Sequence, residues 1–161
     1  MAVRGSRRTR DPAGSGVLSI SLRGRRGAVA LVRADAALAE HIEDSGIEIW
    51  VLTADGQPAG FAEIDRRNAS DVELSYFGLL PAFIGRGLGG KLLRSAVREA
   101  WTPGTRRFWV HTCDLDHPSA LALYRRCGFA PFRIDVMDEP DLRLSGEFPP
   151  DAARHRPLAR S

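Results

Sequence analysis

Glycine is concentrated in one short segment of the chain, which contains Gly85, Gly87, Gly89 and Gly90. A helical spacing of leucine and alanine begins at Leu88, so these glycines lie at the start of a predicted helix. The first N–H groups of a helix lack partners within it, and the helix dipole favours anions there. Because glycine has no side chain, a phosphate can approach those N–H groups closely. The segment therefore predicts a site for a phosphate-bearing ligand, with Arg86 as its nearest cation.

The same glycines also fit a dinucleotide-binding motif. Gly85, Gly87 and Gly90 satisfy the pattern Gly-x-Gly-x-x-Gly, and Asp114 lies at the end of a later strand. That motif follows its strand closely, whereas here Pro81 and further residues separate the preceding strand from the first glycine. The upstream strands are also predicted to form hairpins, with which a dinucleotide-binding fold does not begin. A dinucleotide site and a glycine-rich turn without a ligand therefore remain as alternatives.

The elements that must position this segment follow from the spacing of apolar residues. Alternating, β-rich stretches at residues 47–53, 58–64 and 72–79 are separated by turns, which predicts an antiparallel meander. Simple alternation along the third strand predicts that Glu73, Ser75 and Phe77 share one face.

The period then changes to that of helices. The sequence predicts a helix from Leu88 to Trp101, a strand at residues 107–112, a helix from Pro118 to Cys127 and a last strand at residues 129–137. Together with the meander this is a mixed α/β sheet of order β-β-β-α-β-α-β, in which a parallel pair allows the central strands to splay. Farther upstream, residues 17–22 predict a strand and residues 34–42 a helix.

Charge is distributed unevenly along the chain. The formal net charge is +3, but residues 1–33 hold eight arginines and a single acid. A basic stretch without aromatic residues to stack on bases is more typical of a flexible leader than of a nucleic-acid arm, so we expect no nucleic-acid partner. We interpret residues 1–16 as this leader, residues 17–137 as one domain and residues 138–161 as a Pro- and Arg-rich tail.

Apolar runs and cysteines restrict the location of the protein. No apolar run approaches the roughly 20 residues that a membrane crossing needs, so we expect no membrane association. The chain has two cysteines, Cys113 and Cys127, which are too few for a disulfide framework. These observations predict a protein of the reducing cytoplasm.

Two motifs in a fixed order resemble the GNAT acetyltransferase superfamily over about residues 47–137. In that family an Arg/Gln-x-x-Gly-x-Gly/Ala loop binds the pyrophosphate of acetyl-CoA, and Gly87 and Gly89 match its glycines. A later Asn-x-x-Ala-x-x-x-Tyr-x-x-x-Gly-Phe segment is matched at four positions, which are Ala120, Tyr124, Gly128 and Phe129. Two positions depart from the family, since Ile84 replaces Arg/Gln and His117 replaces Asn. The resemblance implies a GNAT-type fold and an acetyl-CoA-dependent N-acetyltransferase in which an amine attacks the thioester directly.

The resemblance also implies roles for particular residues. The pantetheine arm of acetyl-CoA would lie along the third strand from Phe77 to Leu79, where backbone N–H groups can polarise the thioester. Tyr124 is the predicted general acid for the departing thiolate. Glu73 is the predicted general base. Three other candidate bases remain open, namely Glu63 on the preceding strand, His111 and His117. His117 is also a candidate contact of the cofactor.

The acceptor is less restricted than the donor. A small-molecule amine and a protein amine are both compatible with the motifs. The sequence also leaves open whether the protein forms a homodimer. A domain that binds CoA without catalysis, or acts in regulation, is the alternative from another functional class. His, Cys and Asp side chains crowd residues 111–117, but their spacing lacks a second Cys/His pair, so we expect no metal site.

Overall fold

The computed structural model describes residues 2–5, 17–22, 40–136, 143–144, 153 and 155–157. Within these ranges seven strands form one sheet in the order β1-β3-β4-β5-β6-β2-β7. The strands are β1 Ala2–Gly5, β2 Val17–Leu22, β3 Ile47–Ala54, β4 Gln57–Asp65, β5 Asp71–Leu79, β6 Arg107–Thr112 and β7 Ala130–Ile134. A 3-10 turn covers Pro81–Phe83, helix α1 covers Leu88–Ala100 and helix α2 covers Ala120–Arg126. The predicted mixed α/β fold is confirmed.

The predicted antiparallel meander is formed by β3, β4 and β5. Its first turn consists of Asp55 and Gly56, which both have positive φ (54° and 78°). Positive φ at both central residues is the type I′ geometry that suits the twist of a two-residue hairpin. This Asp-Gly turn joins the end of β3 to the start of β4, and β4 pairs with β5 along its other edge.

Helix α1 packs on one face of the sheet through its apolar stripe. Leu92, Leu93, Ala96 and Ala100 are buried on the helix, and Leu74 and Phe108 are buried on the strands below. Burial of a leucine side chain contributes about 1.5–3 kcal/mol of stability. The apolar stripe therefore contributes much of the free energy with which α1 packs on the sheet. Because α1 connects β5 to the parallel strand β6, its first residues lie at the C-terminal end of β5.

The two central strands separate partway along their length, as the sequence predicts. β5 pairs with β6 only from Asp71–Arg107 to Leu74–Val110. Beyond Leu74, β5 continues to Leu79 while remaining paired with β4 on its other side. The second half of β5 therefore directs one edge of backbone N–H and C=O groups toward the gap between the strands.

The predicted alternation along the third strand is wrong beyond Glu73. The register between β4 and β5 shifts so that Ser75 has no partner between the pairs Ile64–Leu74 and Glu63–Tyr76. An extra residue in one strand is a β-bulge, and it moves the following side chains to the opposite face. Phe77 and Leu79 consequently pack against the core with Leu74, while Glu73 lies on the other face.

The remaining differences concern ends of elements. Helix α2 begins at Ala120 rather than Pro118, and β7 ends at Ile134, earlier than predicted. The predicted strand at residues 17–22 is confirmed as β2, which pairs in parallel with both β6 and β7. Residues 40–43 are helical, and the rest of the helix predicted at residues 34–42 lies outside the described residues.

The two ends of the chain are described only in part. Residues 2–5, which the sequence assigns to a leader, form β1 and pair with β3, whereas residues 6–16 lie outside the described part. In the predicted tail, the guanidinium of Arg143 is buried and donates to the backbone oxygen of Arg156 at 3.0 Å. None of the described helices is both long enough and apolar enough to span a membrane.

Candidate functional site

A groove of about 560 Å³ opens where β5 and β6 separate. Its long wall is the bulged half of β5, its opposite wall is α2 with the segment before it, and its end is the glycine-rich start of α1. The structure thus brings together most of the residues predicted to bind a cofactor or act on it, namely Phe77, Leu79, Gly85, Gly87, Leu88, Gly89, Gly90, His117 and Tyr124. Glu73 and Arg86 are not among the lining residues.

The glycine turn has a backbone geometry that other residues rarely adopt. Gly85 and Gly87 have φ of 81° and 70°, in the left-handed region. Gly87 is the N-cap of α1, and within the described part of the chain no side chain caps this helix start by hydrogen bonding. A Cβ placed on either glycine would meet no atom of the described residues within 4 Å, so these residues leave the space beside the turn open. These are the features that the diphosphate of acetyl-CoA requires: accessible N–H groups, the positive end of a helix dipole and room.

Arg86 does not point into the groove. Its guanidinium forms an ion pair with Asp55 at 2.8 Å and lies 5.2 Å from the ring centre of Phe83. The hydrogen bond from Arg86 lowers the pKa of the Asp55 carboxyl below its ordinary value. The predicted role of this arginine as the cation nearest the phosphates therefore has no support from its contacts.

Arg126, which the sequence reasoning missed, is an arginine that does line the groove. It lies on the last turn of α2, two residues after Tyr124. Its position in the motif, between the tyrosine and the glycine that ends the helix, is the signal that could have identified it. An exposed arginine beside an anion site adds affinity that depends on salt.

Replacing Arg126 with glutamine is expected to weaken acetyl-CoA binding by about 3- to 10-fold at low salt, and by less at high salt, because screening already reduces an exposed charge interaction. Arg125 is also exposed on α2 but does not line the groove, so Arg125→Gln is the matched control. Isothermal titration at two salt concentrations measures both effects. Equal affinities for the two variants would contradict a contact between Arg126 and the ligand.

Tyr124 is buried at the centre of the groove wall, with 4% of its surface exposed. Its ring centre lies 6.1 Å from that of Phe77 and 5.9 Å from that of Phe129, which fixes the ring between β5 and the start of β7. Burial, with smaller contributions from Asp116 and Cys113, raises the pKa of Tyr124 well above that of an ordinary phenol. The hydroxyl is therefore protonated at neutral pH and available as a hydrogen-bond donor.

His117 shapes the turn that leads into α2. Its Nδ1 accepts a hydrogen bond from the backbone N–H of Ser119 at 3.2 Å and lies 2.8 Å from the Ser119 hydroxyl. The imidazole thus holds Ser119, the N-cap residue of α2, by hydrogen bonding. Both side chains also line the groove.

Two glutamate–histidine pairs lie on the sheet face opposite α1. Glu63 on β4 is 2.8 Å from Nε2 of His41, and its side chain is nearly inaccessible. Glu73 on β5 is 2.7 Å from Nδ1 of His111 on β6. Among these four side chains only His111 borders the groove. The candidate bases Glu63 and Glu73 are therefore each engaged by an imidazole.

Ser75, the bulge residue, was also missed as a site residue. Its hydroxyl is buried and has no hydrogen-bond partner among the described residues, and the residue borders the groove. A buried polar group without a partner is costly, so a ligand that supplies one gains affinity. The bulge that places Ser75 beside the groove has no recognisable pattern in the sequence.

The polar side chains of residues 111–117 do not converge on a point. Thr112 donates its hydroxyl proton to Asp116 at 2.6 Å, which ties the carboxylate to the end of β6. Within the described ranges there is no group of three or more His, Cys, Asp or Glu side chains arranged to hold a metal ion.

Comparison with known proteins assigns the chain to a family. The model of the acetyltransferase (GNAT) family matches residues 22–129. A mycothiol acetyltransferase of Acidothermus cellulolyticus is 33% identical over 94 residues, which are 58% of this chain but 27% of that protein. An uncharacterized N-acetyltransferase of Mycobacterium bovis is 30% identical over 111 residues, which are 66% of this chain and 70% of that protein.

A solved structure shares the same fold. AAC(6')-Iy, in complex with a bisubstrate analogue of CoA and acetylneamine, superposes with a TM-score of 0.53 at 21% identity, covering 67% of this chain and 81% of that one. The fold of this chain is thus one seen in a solved aminoglycoside N-acetyltransferase. From its sequence and its fold, the chain belongs to the GNAT acetyltransferase family.

Proposed function

We propose that the protein transfers an acetyl group from acetyl-CoA to the amino group of a small molecule. The observation that carries the proposal is the groove between β5 and β6, which joins the capless, glycine-rich start of α1 to Tyr124. Relatives named as acetyltransferases support the reaction, and the neighbour crystallised with a CoA–acetylneamine analogue supports both a CoA donor and a small amine acceptor. The cytoplasmic location predicted from the cysteines remains part of the proposal.

The residues present suit the donor along its whole length. N–H groups at Gly87 to Gly90 would bind the diphosphate, and Arg126 would add a charge contact. The unpaired edge of β5 after Leu74 would bind the pantetheine amides as a neighbouring strand would. The same edge and the Ser75 hydroxyl are donors close to where the thioester oxygen would gain negative charge. Acetyl-CoA supplies the activated acyl group, and the protein holds it in place.

Tyr124 would assist the departure of the thiolate by hydrogen bonding. A thiol has a pKa of about 8.5, and a phenol whose pKa is raised above about 10 is a weaker acid than that thiol. Complete proton transfer from Tyr124 would therefore be uphill, whereas a hydrogen bond from its hydroxyl stabilises the sulfur anion as it forms. The predicted general acid thus becomes a hydrogen-bond donor in the proposal.

The acceptor must reach the acyl carbon as a free amine. The groove is lined by Tyr76 and His111, whose side chains lie on the sheet face opposite α1. We propose that the amine enters from this face and that Glu73 contributes the base function, directly or through a neighbouring group. An amine that enters there would approach the thioester from the side opposite Tyr124.

Thermal melting in the presence of nucleotides tests the donor. Acetyl-CoA and CoA are expected to raise the melting temperature by similar amounts, since both present the same diphosphate joined to the same pantetheine arm. A ligand at 100 times its Kd adds about 2.7 kcal/mol of stability. NAD, which lacks the pantetheine arm, is expected to have no effect. Stabilisation by NAD alone would contradict the proposal and favour the dinucleotide alternative.

A panel of small amines, monitored by release of free thiol from acetyl-CoA, tests the reaction. At least one primary amine is expected to give turnover that depends on both substrates. Aminoglycosides, amino acids, polyamines and a lysine peptide distinguish the classes of acceptor. Stabilisation by CoA without turnover on any amine would contradict catalysis and favour a CoA-binding regulatory domain.

A further inference from the structure

We infer that His111 accepts the proton of the amine and that Glu73 acts only through His111, as a positioning residue. The inference rests on the acetyltransferase function proposed above and assigns its base. It starts from a short hydrogen bond across the central strand pair, in which Oε1 of Glu73 lies 2.7 Å from Nδ1 of His111.

The pairing of the strands explains why these two side chains meet. Glu73 lies within the paired part of β5 and β6, one residue before the last pair at Leu74–Val110. His111 follows that pair directly, at the first position where the strands diverge. Both side chains alternate with buried core residues, so they lie together on the face opposite α1. The carboxylate thus belongs to the closed part of the sheet and the imidazole to the edge of the gap.

The hydrogen bond fixes which nitrogen of His111 is basic. A carboxylate only accepts hydrogen bonds, so Nδ1 of the imidazole must carry the hydrogen that is shared with Glu73. The lone pair is then on Nε2, at the far side of the ring. A carboxylate that holds one nitrogen in this way orients the ring and stabilises the cation that forms when Nε2 takes up a proton.

Access to the groove separates the two roles. His111 lines the groove and Glu73 does not, although the Glu73 side chain has the larger exposed fraction, 23% against 10%. The exposed part of Glu73 therefore does not contribute to the lining of the groove. A group that does not border the channel cannot take a proton from a substrate within it, but it can hold the group that does.

Every proton in the acetyl transfer is accounted for by the amine, His111 and the departing thiolate. The amine nitrogen forms a bond to the acyl carbon as the carbon–sulfur bond breaks, and its proton moves to Nε2 of His111. The sulfur leaves as a thiolate that accepts a hydrogen bond from Tyr124. The proton on His111 then passes to the thiolate or to solvent, which yields the amide and free CoA and restores the neutral imidazole.

The test combines three variants with rescue by free imidazole, using the most responsive amine of the panel. His111→Ala is expected to lower kcat by about 10²- to 10³-fold, the range typical for loss of a general base, while acetyl-CoA still raises the melting temperature. Free imidazole is expected to raise the rate of His111→Ala at least about tenfold, because it can occupy the space left by the ring and accept the proton. A purely structural role for His111 would not respond to imidazole.

Glu73→Gln is expected to lower kcat by about tenfold, because glutamine can still accept the Nδ1 hydrogen bond but carries no charge. The double variant of both residues is expected to be no slower than His111→Ala alone, since a residue that acts through another has no effect once its partner is removed. His41→Ala is the matched control, because it removes an imidazole bonded to a glutamate outside the groove. Imidazole is expected to leave the rate of this control unchanged.

The outcomes separate this assignment from the proposed function. If the unaltered protein shows turnover, three results would each overturn the assignment of the base and leave the proposed function intact. These are a full rate in His111→Ala, a lost rate that imidazole does not restore, and rate losses of the two single variants that add in the double variant. Binding of acetyl-CoA without turnover on any amine would overturn the proposed function and the assignment with it.

Discussion

Gly87→Asp is expected to lower the affinity for acetyl-CoA by at least about 100-fold. The new carboxylate would lie at the N-cap of α1, where it accepts hydrogen bonds from the N–H groups that the diphosphate needs. It would also repel the phosphates, since two like charges about 4 Å apart interact with about 4 kcal/mol at an effective dielectric constant of about 20. A 100-fold loss corresponds to about 2.7 kcal/mol, which this repulsion alone exceeds. Isothermal titration with acetyl-CoA measures the loss directly.

Gly104→Asp separates this effect from backbone strain. Gly104 has φ of 99° and open space around its Cβ position, as Gly87 has, but it lies beyond the opposite end of α1, away from the groove. Both variants should therefore lose a similar amount of stability, about 1–2 kcal/mol for a side chain in the left-handed region. Only Gly87→Asp should lose affinity. Unaltered affinity in Gly87→Asp would show that the diphosphate is bound elsewhere.

The parts of the site that depend on local spacing could be predicted from the sequence. The glycines at the start of α1 lie within six residues of one another, and Tyr124 lies on a helix whose period and terminal glycine are readable without a structure. Both features are set by the backbone of a single element. The splay of β5 and β6 was also predictable, because a helix between two strands makes them parallel neighbours in an otherwise antiparallel meander.

The parts that depend on contacts between elements could not be predicted. The bulge at Ser75 changes which side chains share a face, yet it results from the fit of β5 to β4 rather than from a bulge-forming residue. Arg86 is adjacent to the phosphate loop in sequence, but its partner Asp55 comes from a distant hairpin turn. His111 and Glu73 likewise meet only because β5 and β6 pair in one register. Each of these contacts joins residues distant in the sequence, and the alternation of residues along one strand does not predict such contacts.

Tyr124→Phe is expected to lower kcat by about 10- to 100-fold, or about 1.4–2.7 kcal/mol, while the Kd for acetyl-CoA stays unchanged. Phenylalanine keeps the ring that packs between Phe77 and Phe129, so the wall of the groove is retained. What is lost is the hydrogen bond to the sulfur, which strengthens as negative charge develops there. Thiol release at saturating substrate, together with titration of acetyl-CoA, separates kcat from binding.

The pH dependence of this loss distinguishes a hydrogen-bond donor from a titrating acid. Because burial raises the pKa of Tyr124, its hydroxyl keeps the proton at pH values where an ordinary phenol, with a pKa of about 10, begins to ionise. The ratio of the rates of the unaltered protein and Tyr124→Phe should therefore be constant from neutral pH to about pH 10. A ratio that falls toward one as the pH approaches 10 would mean that the phenol ionises in this range, contrary to the buried position of the ring. Equal rates at neutral pH would remove Tyr124 from the reaction altogether.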